Sequence, residues 1–123
     1  GQQETVWALN LLFYYLLEDK PSCIILEEPE AHLYPDSQKY MAEALGTFAN
    51  AGNQVIVTTH SPYILDEFND LLYAAEIRLA DPQRDAIVSP CRLIDTSWIK
   101  AAHVIDGHVI DDMDDTLLLR DNL

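Results

Sequence analysis

The chain has 123 residues, with 7 Lys plus Arg against 21 Asp plus Glu and a formal net charge of −14. At that length it forms one domain at most, and 49% apolar residues are enough to fill a core, which excludes a disordered chain. The acids are spread along the sequence with no basic stripe to release phosphate counterions, so neither nucleic acid nor an anionic membrane is an expected partner of this segment alone.

Cys23 and Cys91 lie far apart with no CxxC pair, so no disulfide framework or zinc ribbon is indicated and a reducing cytoplasm is the expected compartment. The apolar run Leu11 to Leu17 is too short to span a bilayer. The first residue is Gly, and GQQET opens almost directly into an amphipathic segment, so the expectation is a piece of a longer protein.

Residues 4–18 are dense in Leu and aromatics and apolar on most faces, which predicts a largely buried helix with Trp7, Phe13, Tyr14 and Tyr15 in the core. Lys20-Pro21-Ser22 ends it. Cys23 to Leu26 is a continuous apolar run that stops at Glu27, the pattern of a central parallel strand buried on both faces. After Pro29 to Pro35, Asp36 is the expected N-cap of a helix through about Asn50, with Gly52 at its C-terminal turn. Gln54 to Thr59 is a second β-rich run, which makes a strand–helix–strand unit with parallel strands and a right-handed crossover. In open α/β sheets ligands gather at the carboxyl ends of the strands, and Glu27, Glu28 and His60 fall there.

Ser61-Pro62 opens a short predicted helix through about Glu67. Leu71 to Leu79 and Ala86 to Ile94 read as strands, and Asp106-Gly107 between apolar residues predicts a hairpin over His103 to Ile110. His103 and His108 flank that hairpin and are expected at the surface. Asp111, Asp112, Asp114 and Asp115 read as a solvated turn, because EF-hand spacing is missing.

Two segments carry chemistry. CIILEEPEAHLYP delivers adjacent carboxylates to a strand end. One can organise Mg²⁺ bound to phosphates while the next accepts a proton from the attacking water in phosphoryl transfer. In VIVTTHSPYIL the neighbouring strand ends on a histidine, whose imidazole can hydrogen-bond a terminal phosphate or that water.

Together these residues resemble ATPases of the ABC superfamily, in the soluble branch that includes SMC, RecF and OLD-type proteins and related AAA-like ATPases. The resemblance covers residues 1 to about 66 well and the remainder loosely. It implies an α/β P-loop fold with a mainly parallel sheet flanked by helices, in which residues 1–123 are the C-terminal half of an ATPase head. It also implies that CIILEE is the Walker B strand, Glu27 the metal-associated carboxylate, Glu28 the catalytic base and His60 the switch histidine. Ala31 to Pro35 would be the D-loop region, with His32 contacting nucleotide across a dimer or simply holding the loop. Gly1, Gln2 and Gln3 would be the end of the signature motif. The implied ligands are ATP and Mg²⁺. The implied partners are the missing N-terminal half and a second head in a homodimer that sandwiches the nucleotide.

The sequence departs from the family pattern at two places. Glu27 stands where most of the superfamily has Asp, one methylene shorter, and no GxxxxGK[ST] occurs in the chain. Two rival readings follow. One is a degenerate, non-catalytic head acting as a protein-interaction module. The other is a metal-dependent nuclease using Glu27, Glu28 and Glu30, which the net charge disfavours. A zinc site from Glu28, Glu30 and His32 is opposed by Pro29, which interrupts helical spacing.

Overall fold

The element order is α1 (Gln2–Leu17), β1 (Cys23–Glu27), α2 (Pro35–Asn50), β2 (Gln54–Thr58), α3 (Pro62–Ala80), a 3-10 turn (Thr96–Trp98), β3 (Ala102–Ile105) and β4 (His108–Asp111). It is seen in a computed structural model that describes residues 2–83 and 92–111. β1 and β2 pair in parallel with Cys23 opposite Gln54 and Glu27 opposite Thr58. β3 and β4 form a separate antiparallel hairpin. The architecture is therefore α/β, with a parallel strand pair, flanking helices and a C-terminal hairpin.

The core gathers Leu12 of α1, Ile24 of β1, Met41, Ala42, Leu45 and Phe48 of α2, Ile64, Phe68, Leu71 and Leu72 of α3, and Ile94. Burial of each large aliphatic or aromatic side chain among them contributes about 1.5–3 kcal/mol. Gly46 on α2 lets Ile94 approach, since an added Cβ there would meet Ile94 Cδ1 at 3.2 Å.

α2 begins two residues earlier than the capping signal indicated. Tyr34 is its N-cap, without a side-chain capping bond, Pro35 takes the first turn and Asp36 lies inside that turn. The fixed φ of proline suits the first helical position, and the Asp36 carboxylate there complements the helix dipole. Gly52 follows the helix with φ +90°, as expected of a glycine beyond a helix end.

Three expectations are corrected. α3 continues to Ala80, so Leu71 to Leu79 is helix rather than strand. Its buried residues Ile64, Phe68, Leu71, Leu72 and Ala75 recur at helical spacing, and this stripe packs against α2. Secondly, α1 is a helix but not a largely buried one. Leu12 is buried and Ala8, Leu9, Tyr15 and Leu16 pack partly on the core, whereas Trp7 is 76% exposed, Leu17 is 84% exposed, and Phe13 and Tyr14 also face outward. Thirdly, β1 is buried on one face only. Ile24 and Leu26 face the core, while Ile25, 72% exposed, and its neighbour Ile56 lie on an open face. The predicted strand over Ala86 to Ile94 lies mostly outside the described residues, and Leu93 and Ile94 are not in a strand. The hairpin forms as expected, with Asp106 at φ +49° and Gly107 at φ +79° in the two turn positions. His108 is exposed and His103 half-buried. Asp111 ends β4, and Asp112, Asp114 and Asp115 lie outside the described residues.

Around the α2–α3 contact, Arg92 pairs with Glu43 at 2.9 Å. The Glu67 carboxyl nearby is held above its ordinary value of 4.5 by burial and by the negative charges of Glu43 and Asp70, against the smaller opposing effects of Lys39 and Arg92. A carboxyl raised in the folded state binds its proton more tightly there than in the unfolded chain. Its stabilising contribution is therefore complete below pH 4.5 and is lost as pH rises through the folded-state value. Glu67→Gln should consequently gain stability relative to the unaltered protein as pH rises from 4.5 to neutrality, read as the difference in urea midpoint at the two ends of the range. A difference that does not change with pH would contradict this account.

Candidate functional site

The register of β1 against β2 decides which residues meet at the carboxyl edge. Glu27 is level with Thr58, so the two chains leave the sheet side by side. Beyond the last ladder pair, the Glu28 N–H still donates to the Thr58 carbonyl at 2.9 Å and lies 3.3 Å from Thr58 Oγ1. Glu28 itself sits at φ +45°, in the left-handed region that non-glycine residues seldom occupy. That conformation turns the backbone sharply out of the strand. Two further turns follow, closed by Ala31 N–H to the Glu28 carbonyl at 3.0 Å and Leu33 N–H to the Glu30 carbonyl at 2.9 Å, with His32 at φ +67°.

On the adjacent strand end, His60 Nε2 lies 3.4 Å from Glu28 Oε1, and both side chains are largely open to solvent. Glu27 and Glu28 also line a cleft of about 490 Å³ together with Thr5 and Ala8 of α1, Leu26, Pro29 and Ala31. Three predicted site residues, Glu27, Glu28 and His60, are thus brought to one edge. His32 is exposed on the loop and is not part of the cleft lining. Gln3 is exposed in the first turn of α1. Gln2 starts that helix, and Gly1 lies outside the described residues. Among the described residues no three His, Cys, Asp or Glu side chains converge as a metal-holding group. No helix among them is long and apolar enough to cross a membrane.

The most constrained carboxylate of the region is Glu30, which the sequence offered only as a metal ligand in the rival readings and not as a hydrogen-bond anchor. Glu30 is only 8% exposed. Its Oε1 accepts from Thr59 Oγ1 at 2.6 Å and from the His60 N–H at 2.8 Å, while Oε2 is buried without a partner. Thr59 Oγ1 in turn accepts from the Ser61 N–H at 3.0 Å. Ser61 caps α3 by accepting from the Ile64 N–H, and its hydroxyl hydrogen-bonds Gln38 Oε1. Gln38 Nε2 donates to the Leu33 carbonyl at 2.8 Å, which returns the chain of bonds to the first loop. The available signal was the pair of donors stranded where β2 ends at Thr58, which require an acceptor from elsewhere.

A model of the AAA ATPase domain family matches residues 1–65, more than half of the chain. The chain belongs to that family. This AAA ATPase domain is similar to the Energy-coupling factor transporter ATP-binding protein EcfA2 of Lactobacillus johnsonii, with 30% identity over 110 residues that cover 86% of the chain and 34% of the relative. It is also similar to the OLD nuclease of Thermus scotoductus, with 36% identity over 84 residues that cover 66% of the chain and 15% of the relative. The domain therefore spans about a third or less of the length of either relative. No solved structure matches it at a comparable level. Family and relatives place it within the ABC and AAA-like ATPase superfamily and give it an ATPase-related function.

The left-handed backbone at Glu28 costs about 1–2 kcal/mol in a residue with a Cβ. The solvent-exposed contact with His60 offsets little of that, since exposed ion pairs contribute about 0–1 kcal/mol. Glu28→Gly should therefore leave stability unchanged or raise it by about 1 kcal/mol, read by chemical denaturation. A loss greater than that amount would show that the Glu28 side chain stabilises the fold.

Proposed function

We propose that this chain is the C-terminal half of a P-loop, ABC-type ATPase head, and that in the complete protein it hydrolyses ATP held between two such heads. The observation that carries this reading is the juxtaposition at the carboxyl edge of the parallel pair, where the Glu28 carboxylate lies 3.4 Å from the His60 imidazole beside an open cleft.

On this reading CIILEE is the Walker B strand. Glu28 accepts a proton from the attacking water, a role for which a carboxylate on a strained, solvent-facing turn is well placed. His60 donates to the terminal phosphate or to that water. Glu27 and Glu28 present the hard oxygen donors that suit Mg²⁺, and Glu27 would hold it. When bound, the ion neutralises phosphate charge. Gln3 and the start of α1 form the end of the signature motif, facing nucleotide carried by the second head. The proposed compartment is a reducing cytoplasm.

The electrostatics make the remaining half of the head necessary. Like charges about 4 Å apart repel by roughly 4 kcal/mol at an effective dielectric near 20. Among the described residues the cleft lining contains two glutamates and no base, and the sequence contains no GxxxxGK[ST]. The missing half supplies that loop with its lysine, and it also covers Ile25 and the outer side of α1.

This reading gives three outcomes. In the complete gene product, Glu28→Gln should lower ATP turnover by about 10²- to 10⁴-fold while nucleotide binding persists, trapping an ATP-bound dimer on size exclusion. Unchanged turnover refutes the assignment. His60→Ala should lower turnover with a smaller effect on binding, and a large binding loss with normal turnover contradicts its role. Residues 1–123 alone should show no micromolar heat of MgATP binding by calorimetry, and such binding would overturn the dependence on a missing half.

A further inference from the structure

We propose that Glu30 is the positioning residue that sets His60 against Glu28, an inference that rests on the ATPase reading and assigns the control of its histidine. β2 ends at Thr58, so the His60 N–H has left the sheet ladder, and Thr59 is the first residue beyond it. The Thr59 hydroxyl and the His60 N–H donate to the same buried oxygen, Glu30 Oε1, at 2.6 and 2.8 Å. The His60 side chain is 84% exposed and faces Glu28. Its backbone is therefore the part that is fixed, and where the imidazole can reach depends on the anchoring of residues 59 and 60.

The Thr59 hydroxyl has a single proton, and Glu30 receives it because Thr59 Oγ1 is also the acceptor for the Ser61 N–H. The carboxylate also lies two residues beyond Glu28 on the same loop, whose turns begin at the Glu28 and Glu30 carbonyls. One side chain consequently ties the backbone of the histidine to the loop that carries its partner. Oε2 makes no hydrogen bond among the described residues, so both donors converge on Oε1 alone. A charged acceptor makes shorter and stronger bonds than a neutral one, which suits a group that must hold two donors on one oxygen.

The test is a double-mutant cycle on MgATP turnover by the complete gene product, with circular dichroism to confirm folding of each variant. Glu30→Ala should lower kcat by about 10- to 100-fold with KM changed less than about threefold, as expected when a reacting group is misplaced by about an ångström. Glu30→Gln, which keeps an oxygen acceptor, should restore kcat to within about threefold of the unaltered protein. In a His60→Ala background, Glu30→Ala should lower kcat by less than about a further threefold, since two residues acting through one group are not additive. Losses that multiply would overturn the proposal by showing that Glu30 acts independently of His60. If Glu30→Ala fails to fold, Thr59→Val removes one of the two donors with little change of shape, and its kcat loss should vanish in the same background. A vanishing loss supports the proposal and a persistent one overturns it.

Amide exchange of His60, measured without nucleotide, separates this inference from the reading beneath it. Exchange should accelerate in Glu30→Ala and stay slow in Glu30→Gln, and unaltered exchange in Glu30→Ala would overturn the anchoring. Absence of ATP turnover in the unaltered protein would overturn the ATPase reading and the catalytic part of the proposal, while the exchange result still decides whether Glu30 anchors His60.

Discussion

The constraint on which the site depends is the parallel register of β1 and β2. Ile24 beside Val55 and Leu26 beside Val57 form the face that packs against the core, with Ile25 and Ile56 together on the open face. A slip of one residue would turn that face outward, so the apolar pattern fixes the alignment. Fixing it puts Glu27 level with Thr58 and makes Glu28 and Thr59 the first residues past the edge. The short distance between the Glu28 and His60 side chains follows from this, although 32 positions separate the two in sequence. Burial of the aliphatic face thus does the positioning, and the polar edge inherits its geometry from it.

Strands that end together create a second problem, since each leaves backbone groups without ladder partners where the chains diverge. The two strand ends resolve it differently. On the β1 side, Glu28 borrows the Thr58 carbonyl and then adopts a strained left-handed turn. On the β2 side, Thr59 and His60 use the Glu30 carboxylate, and Ser61 closes the N-terminus of α3. The bonds through Gln38 to the Leu33 carbonyl join both solutions into one circuit that includes the start of α2. The loops at the edge are therefore held by mutual hydrogen bonding rather than by burial of large side chains. Such an arrangement keeps the Glu28 and His60 side chains in water while their backbones are fixed.

The parts of this structure legible in the sequence are those governed by local pattern. The apolar runs of β1 and β2, the Ser61-Pro62 start of α3 and the Asp106-Gly107 turn each have a short-range cause, and each stands where the pattern put it. Leu71-Leu72-Tyr73 misled because a short apolar run satisfies both periodicities. The decision lies in its continuity with Ile64 and Phe68, which only the packing against α2 makes visible. The exposure of Trp7, Phe13 and Ile25 was illegible for another reason, since apolar sequence records what a face is meant to meet and says nothing of which segment supplies the contact. Glu27, Glu28 and His60 were legible as strand-end residues. Glu30 was not, because its significance arises from bonds spanning 29 and 30 positions to residues of ordinary type.

The charge distribution carries the last step. The described bases that form ion pairs do so away from the cleft, Lys20 with Glu18 and Arg92 with Glu43, while the described residues that line the cleft include two glutamates and no base. An edge of this kind repels a polyphosphate until cations arrive from another element. On the proposed function that repulsion is useful. Residues that activate water remain unengaged while the phosphate-holding element is absent, so hydrolysis requires both halves of a site to be assembled at once. A head built this way makes chemistry contingent on docking, because the negative potential at Glu27 and Glu28 opposes nucleotide in the open state and becomes productive only when offset.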